Sequence, residues 1–236
     1  MPDQATRRPP RPTHLVLPIL KRFSFKGVTE YLDDLVTHIN TPQLSSLYIT
    51  FFNQIVFDTP QLVQFISRTP TLKLLEKARL SIDADAASIE LNSRAAGYGF
   101  FEGIHVKVPC KELDWQISSL EQICTLCLPP LSMLEVLYIC EHRPWERHCQ
   151  DNIENTLWLE LLHPFTGVKN LYLSAEFTHR IAPALKELDG GRATEVLPAL
   201  ENLFLEEPGH GIGQFVATRR VTGHSIAALR WDRNAE

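Results

Sequence analysis

One cadence of apolar and polar positions, apolar-x-x-Leu-aromatic-Leu/Ile, returns along the chain. It reads LSSLYIT at 44–50, LEVLYIC at 134–140, VKNLYLS at 168–174 and LENLFLE at 200–206. Two weaker copies, KARLSID at 77–83 and GIHVKVP at 103–109, fall between, and KRFSFKG at 21–27 is a first, shorter one. From Leu47 through Leu80, Val106, Leu137 and Leu171 to Leu203, the aligned positions lie 33, 26, 31, 34 and 32 residues apart. Within each copy apolar residues alternate with others, the period of a half-buried strand.

Most intervals between copies carry helical spacing instead. Leu32, Leu35, Val36 and Ile39 form one stripe. Leu62, Phe65 and Ile66 follow Thr59-Pro60, a cap residue with proline at the first helical position. Leu120, Ile123, Cys124 and Cys127 form a third, with Ser118 and Glu121 spaced as a capping box. Ile181, Leu185 and Leu188 form a fourth, and Phe215-Val216 open a fifth. Strand, helix and strand at about 32 residues imply crossover connections and a parallel sheet. A doubly wound sheet is buried on both faces and needs nearly continuous aliphatic strands. Here Ser24, Tyr48, Ser81, His105, Lys107, Tyr138, Tyr172 and Phe204 interrupt them, so one face reads as open. The expected fold is α/β: an irregular leucine-rich-repeat-like solenoid with a curved parallel sheet inside and helices outside. Residues 83–104 break the pattern and read as two strands around a turn rich in glycine (Gly97, Gly99, Gly103), a hairpin-like insertion.

Composition narrows the class. The chain has 236 residues, of which 44% are hydrophobic and 22% charged, enough for a large core. Residues 1–14 read as a disordered tail rich in proline and arginine, and 15–236 as the leucine-rich-repeat-like domain. A net charge of −5 argues against a nucleic-acid partner. No apolar run approaches the roughly 20 residues that cross a bilayer, so no membrane partner is expected. Five cysteines without a signal peptide point to a reducing compartment, cytoplasmic or nuclear.

Three constellations invite chemistry, and each has a plainer reading. Cys124 and Cys127, with Cys140, His142, His148 and Cys149 downstream, have a zinc-like spacing. The first two also complete an apolar stripe, which makes them core residues, and free cysteine is among the most buried residue types. The glycine-rich PGHGIGQF at 208–215 stands where phosphate-binding loops occur, yet its spacing is not the dinucleotide fingerprint and Glu206 and Glu207 precede it. The loop CEHRPWERHCQ at 140–150 gathers nucleophile and base candidates without an orienting third group. The acid pair Asp33-Asp34 reads as solvent-facing. The alternative function is therefore a small enzyme dependent on a metal or a phosphate ligand, using loop 140–149 or loop 209–213. The main expectation is non-enzymatic, without cofactor or metal. Tyr138, Tyr172 and Phe204 would stack on consecutive strands of the open face, with Tyr48 near the other end, as a candidate protein-binding surface.

The stretches KELDWQISSLEQICTLCLPPLSMLEVLYICE, DNIENTLWLELLHPFTGVKNLYLSAEF and EVLPALENLFLEE resemble the C-terminal region of mushroom-type fungal F-box proteins. The resemblance spans nearly all of 15–236. It implies a leucine-rich region that selects a target protein for a cullin-type ubiquitin ligase. The F-box that docks on the ligase adaptor is a helical segment opening with a Leu-Pro-x-Glu-like motif. Nothing before Leu15 supplies one, so adaptor docking is not carried over and the expected partner is an unidentified protein.

Overall fold

The computed structural model describes residues 15–52, 54–73, 75–92, 101–141, 153–188, 192, 194–209 and 211–233; the tail expected at 1–14 lies outside them. In chain order the elements are β1 (Leu15–Val16), β2 (Arg22–Gly27), α1 (Thr29–His38), β3 (Ile39–Asn40), β4 (Ser46–Phe51) and α2 (Pro60–Arg68). There follow β5 (Lys77–Ile82), β6 (Ala86–Asn92), β7 (Gly103–Pro109) and α3 (Leu113–Gln122), which runs on into a π-helical turn, Ile123–Cys127. The last are β8 (Val136–Cys140), α4 (Asn155–Leu162), β9 (Asn170–Leu173), α5 (Ala175–Lys186), β10 (Asn202–Leu205), α6 (Ile212–Val221) and β11 (Ala227–Arg230). Every copy of the cadence is a strand.

Nine strands form a mixed, mostly parallel sheet in the order β11-β10-β9-β8-β5-β6-β7-β4-β2, and β1 pairs separately with β3. Only β6 runs antiparallel, to β5 on one side and β7 on the other. The 83–104 segment thus forms the two strands its sequence predicts, but they are not an appendage. The chain reverses tightly after β5, with the Asp83 N–H donating to the Ala86 carbonyl at 2.8 Å, and β6 fills the sheet between β5 and β7. Consequently β4 pairs with β7 rather than with β5, and β5 pairs with β8. The 26-residue step from Leu80 to Val106 is two reversals, not a strand-helix-strand unit.

Alternation fixes which face each side chain takes. Leu47, Leu80, Ile89, Val106, Leu137, Leu171 and Leu203 are fully buried, in one cluster with Leu32, Phe65, Ile117, Trp158, Ile181 and Phe215 from the six helices. Each such side chain contributes roughly 1.5–3 kcal/mol by leaving water. The helices therefore cover one face; among the described residues none lies on the other.

Three local expectations are corrected. Ser118 sits inside α3, whose first residue is Leu113, so no capping box starts at Ser118. Leu35 is exposed although its neighbours in the stripe are buried, because the contact face of α1 is narrower than the stripe. Asp33 does not simply face solvent: its Oδ1 accepts from the N–H groups of Gln61 (2.8 Å) and Leu62 (3.1 Å), capping the first turn of α2.

Candidate functional site on the open sheet face

Register lines up one residue from each strand across the face without helices: Ser24, Tyr48, His105, Glu90, Arg79, Tyr138, Tyr172, Phe204 and Leu229. The candidate residues Tyr138, Tyr172 and Phe204 do form adjacent rungs. Tyr138 stacks on Tyr172 at 4.4 Å and 19°, and Tyr172 on Phe204 at 4.2 Å and 4°. Tyr48 stands apart on β4, against Phe101 (5.3 Å) and His105 (5.9 Å), with the Arg22 guanidinium 5.9 Å from its ring centre.

A residue the cadence does not mark covers the aromatic stack. After β11, Trp231 lies 5.9 Å from Tyr138 and 5.4 Å from Tyr172, the latter edge to face. Its backbone N–H donates to Leu205 at 2.8 Å. Two residues on, Arg233 pairs with Glu141 (Nη1 to Oε1, 2.9 Å) and also donates from Nη2 to the Glu141 carbonyl, pinning this segment across the end of β8. Val136, Tyr138 and Trp231 are buried together, with Tyr172 and Phe204 packed against them. The stack's rings are thus largely occupied by one another and by Trp231.

The other half of the face is cationic. Its outward strand positions carry Arg22, Lys26, Lys77, Arg79 and Lys107 against a single glutamate, Glu90, an excess of four positive charges on a chain of net −5. Glu90 lies opposite Arg79 in register, yet its Oε1 lies 3.9 Å from His105 Nδ1. The Arg79 guanidinium sits over the Tyr138 ring at 5.1 Å. Neither Lys77 nor Arg79 makes an ion pair with a carboxylate among the described residues. Sequence reasoning took Leu80 and Ser81 from KARLSID and passed over Lys77 and Arg79. It read no strand at 227–230, so nothing pointed to Trp231 or Arg233.

The chemical candidates resolve differently. Cys124 and Cys127 lie in the π-helical turn and are buried, as the apolar stripe predicts. Burial pushes both thiols up, Cys127 to about 12 and Cys124 further, so neither is a thiolate at neutral pH. Cys124 borders a cavity of about 810 Å³ whose apolar lining on the helix side includes Val63, Leu159 and Val196. Cys140 is buried beside Arg79 (3.8 Å) and Ser81 (3.9 Å), and burial raises its thiol too. His142, His148 and Cys149 lie outside the described residues; among those described, no three His, Cys, Asp or Glu side chains converge on a metal-sized site. In the glycine loop, a Cβ on Gly209 would meet Thr178 of α5 at 2.5 Å, and Gly211 takes a left-handed φ of 99° as the cap of α6. Both glycines serve close packing and a turn. Glu206 Oε2 accepts from the Ala175 N–H at 2.9 Å and so caps α5 with a carboxylate of the chain itself. No helix of the described residues is long and apolar enough to cross a membrane. No family model, curated protein or solved structure matches this chain.

Proposed function

We propose that this chain is a non-enzymatic protein-interaction module, built as an irregular leucine-rich-repeat-like solenoid, that meets its partner with the open face of the sheet. One observation carries the reading: the six described helices all pack on one face, and on the other a registered row, mostly of aromatic and charged side chains, crosses nine strands. Such a row is rigid, because ladder hydrogen bonds hold every rung, and rigid aromatic and arginine side chains are the usual anchors of protein interfaces. In the form that the sequence resemblance implies, the module is the target-recognition half of an F-box-type ubiquitin-ligase receptor.

The test is positional. A photo-cross-linking amino acid replaces Tyr48 on the open face or Tyr31, which is 73% exposed on α1. A discrete partner captured from Tyr48 but not from Tyr31 in native cell extract is the expected result. Capture from Tyr31 alone, or none from Tyr48, rejects this face.

A further inference from the structure

Where the cationic and aromatic halves of the open face meet there is a cavity of about 710 Å³. Lys77, Arg79, Asn92, Tyr138, Trp231 and Arg233 line it. Its floor is a small piece of sheet: Lys77 faces Asn92 across the β5–β6 pair, and Arg79 faces Tyr138 across β5–β8. Lys77 and Arg79 are two residues apart on one strand, so their side chains emerge side by side. Tyr138 holds the Arg79 guanidinium in place through its ring without neutralising it. Arg233 forms a wall, already anchored on Glu141.

Two further features point to a missing partner. The indole N–H of Trp231 is a pure donor, buried and without an acceptor among the described residues, and Asn92 Oδ1 is buried without a donor among them. Both residues belong to this one cavity. Buried polar groups in folded proteins are nearly always satisfied, so two orphans beside two cations with no ion pair among the described residues mark a place where a ligand supplies what is lacking.

We propose that this cavity anchors an acidic segment of a partner protein. A glutamate or aspartate carboxylate enters between Lys77 and Arg79, and the adjoining chain lies along the Trp231 and Tyr138 rim. The proposal rests on the reading of the open face as a protein-interaction surface and adds the partner's chemistry. Charge complementarity favours it: the face is basic on an acidic chain, which steers an acidic segment to this face rather than to the remaining surface. Single-stranded nucleic acid fits less well. It binds by stacking bases on free aromatic faces, and the ring faces of Tyr138, Tyr172 and Phe204 are turned to one another.

The experiment uses the full chain and a fluorescein-labelled glutamate-rich peptide, read by fluorescence anisotropy. A glutamine-for-glutamate peptide and a labelled oligo-uridine serve as comparators. The expected result is saturable, salt-sensitive binding of the acidic peptide, weakened about tenfold or more in Lys77→Gln/Arg79→Gln. Lys107→Gln, outside the cavity, and Arg79→Lys, which keeps the charge, stay within about threefold of the unmodified chain. An unchanged melting temperature of the double variant shows that the loss is local. The proposal is overturned if the double variant binds the peptide unchanged, if the peptide does not bind saturably, or if oligo-uridine binds more tightly. A retained cross-link from position 48 alongside any of these outcomes discards the acidic anchor and leaves the interaction face standing. Peptide binding without that cross-link does the reverse.

Discussion

The open face divides into two halves that share one sheet and differ in how their side chains are satisfied. On β8, β9 and β10 the outward rings are stacked on one another and roofed by Trp231. On β2, β5 and β7 the outward side chains include Arg22, Lys26, Lys77, Arg79 and Lys107, and the single acid among the described strands, Glu90 of β6, faces His105. Both halves look like candidate surfaces when only the alternation of residues is considered. Contacts separate them: the rings of the aromatic half pack on one another and on Trp231, so these rings belong mainly to stability. In the cationic half Lys77 and Arg79 make no ion pair among the described residues and stand in a preset geometry, the condition for recognising something else.

The largest break in this comparison is expected from Trp231→Ala. The indole bridges Tyr138 and Tyr172, and its removal leaves a void over two rings. A loss of about 3 kcal/mol in denaturant unfolding is expected, the lower end for a buried tryptophan. A loss below about 1 kcal/mol would mean that the aromatic half does not depend on its roof and that the C-terminal segment is a loosely held flap.

Tyr172→Ala sharpens the same contrast from below. The ring has stacking partners on both sides at 4.4 and 4.2 Å. Deleting it should cost about 2 kcal/mol in stability, from lost ring pairs and lost apolar burial. Affinity for the partner captured at position 48 should fall by less than about threefold. If binding collapses while the melting temperature holds, the assignment of the two halves is reversed.

How much of this was legible in the sequence follows from the range of the interactions involved. Strands at the LYI, LYL and LFL copies, the parallel sense of most pairs, and the burial of Cys124 and Cys127 all rest on local periodicity, which a single sequence shows directly. The in-register stacking of Tyr138, Tyr172 and Phe204 was equally readable, because equal spacing on neighbouring parallel strands implies equal register. The position of β6 was not. Two strands in a hairpin can hang from a sheet or enter it, and the choice depends on which edges β4 and β5 leave unpaired. Trp231 escaped for a similar reason: it caps a stack built from strands up to 95 residues away, and nothing near ALRWDR announces that contact. Asp33 was misread because its partner is the start of a different helix.

Alkaline unfolding supplies the background against which both halves are compared, since it acts from the helix layer. Burial raises the Cys127 thiol to about 12, from an ordinary value near 9.0 in the unfolded chain. The folded state thus favours the protonated thiol. Its contribution is complete below about pH 9 and is lost as pH rises toward 12, when the unfolded chain releases the proton and the folded one does not. The expected slope is about 1.4 kcal/mol of stability per pH unit in that window for this group. Cys127→Val, close in size, should flatten the decline by about that amount. An unaltered pH profile in the variant would show that other groups set alkaline stability.

The smallest expected effect on the fold is that of Arg79→Gln, and its smallness decides the comparison. Arg79 makes no ion pair among the described residues, so the change leaves none of their carboxylates without its partner, the event that makes most charge deletions costly. Glutamine keeps much of the aliphatic stem along the sheet and leaves the backbone ladder of β5 untouched. What is lost is the weak Nη1 contact to the Cys140 sulfur at 3.8 Å and the cation over the Tyr138 ring at 5.1 Å, the latter worth about 0.5–1 kcal/mol where solvent still reaches the pair. Part of that returns, because the guanidinium no longer has to be held near Lys77 on the same strand face. A net change of about 0.5 kcal/mol or less is expected in the same denaturant titration that registers Trp231→Ala. Binding of the acidic peptide, by contrast, should weaken several-fold from this single change. A stability loss above about 2 kcal/mol would place Arg79 in the machinery of the aromatic stack, and the boundary between the two halves would then have to move from β8 to β5.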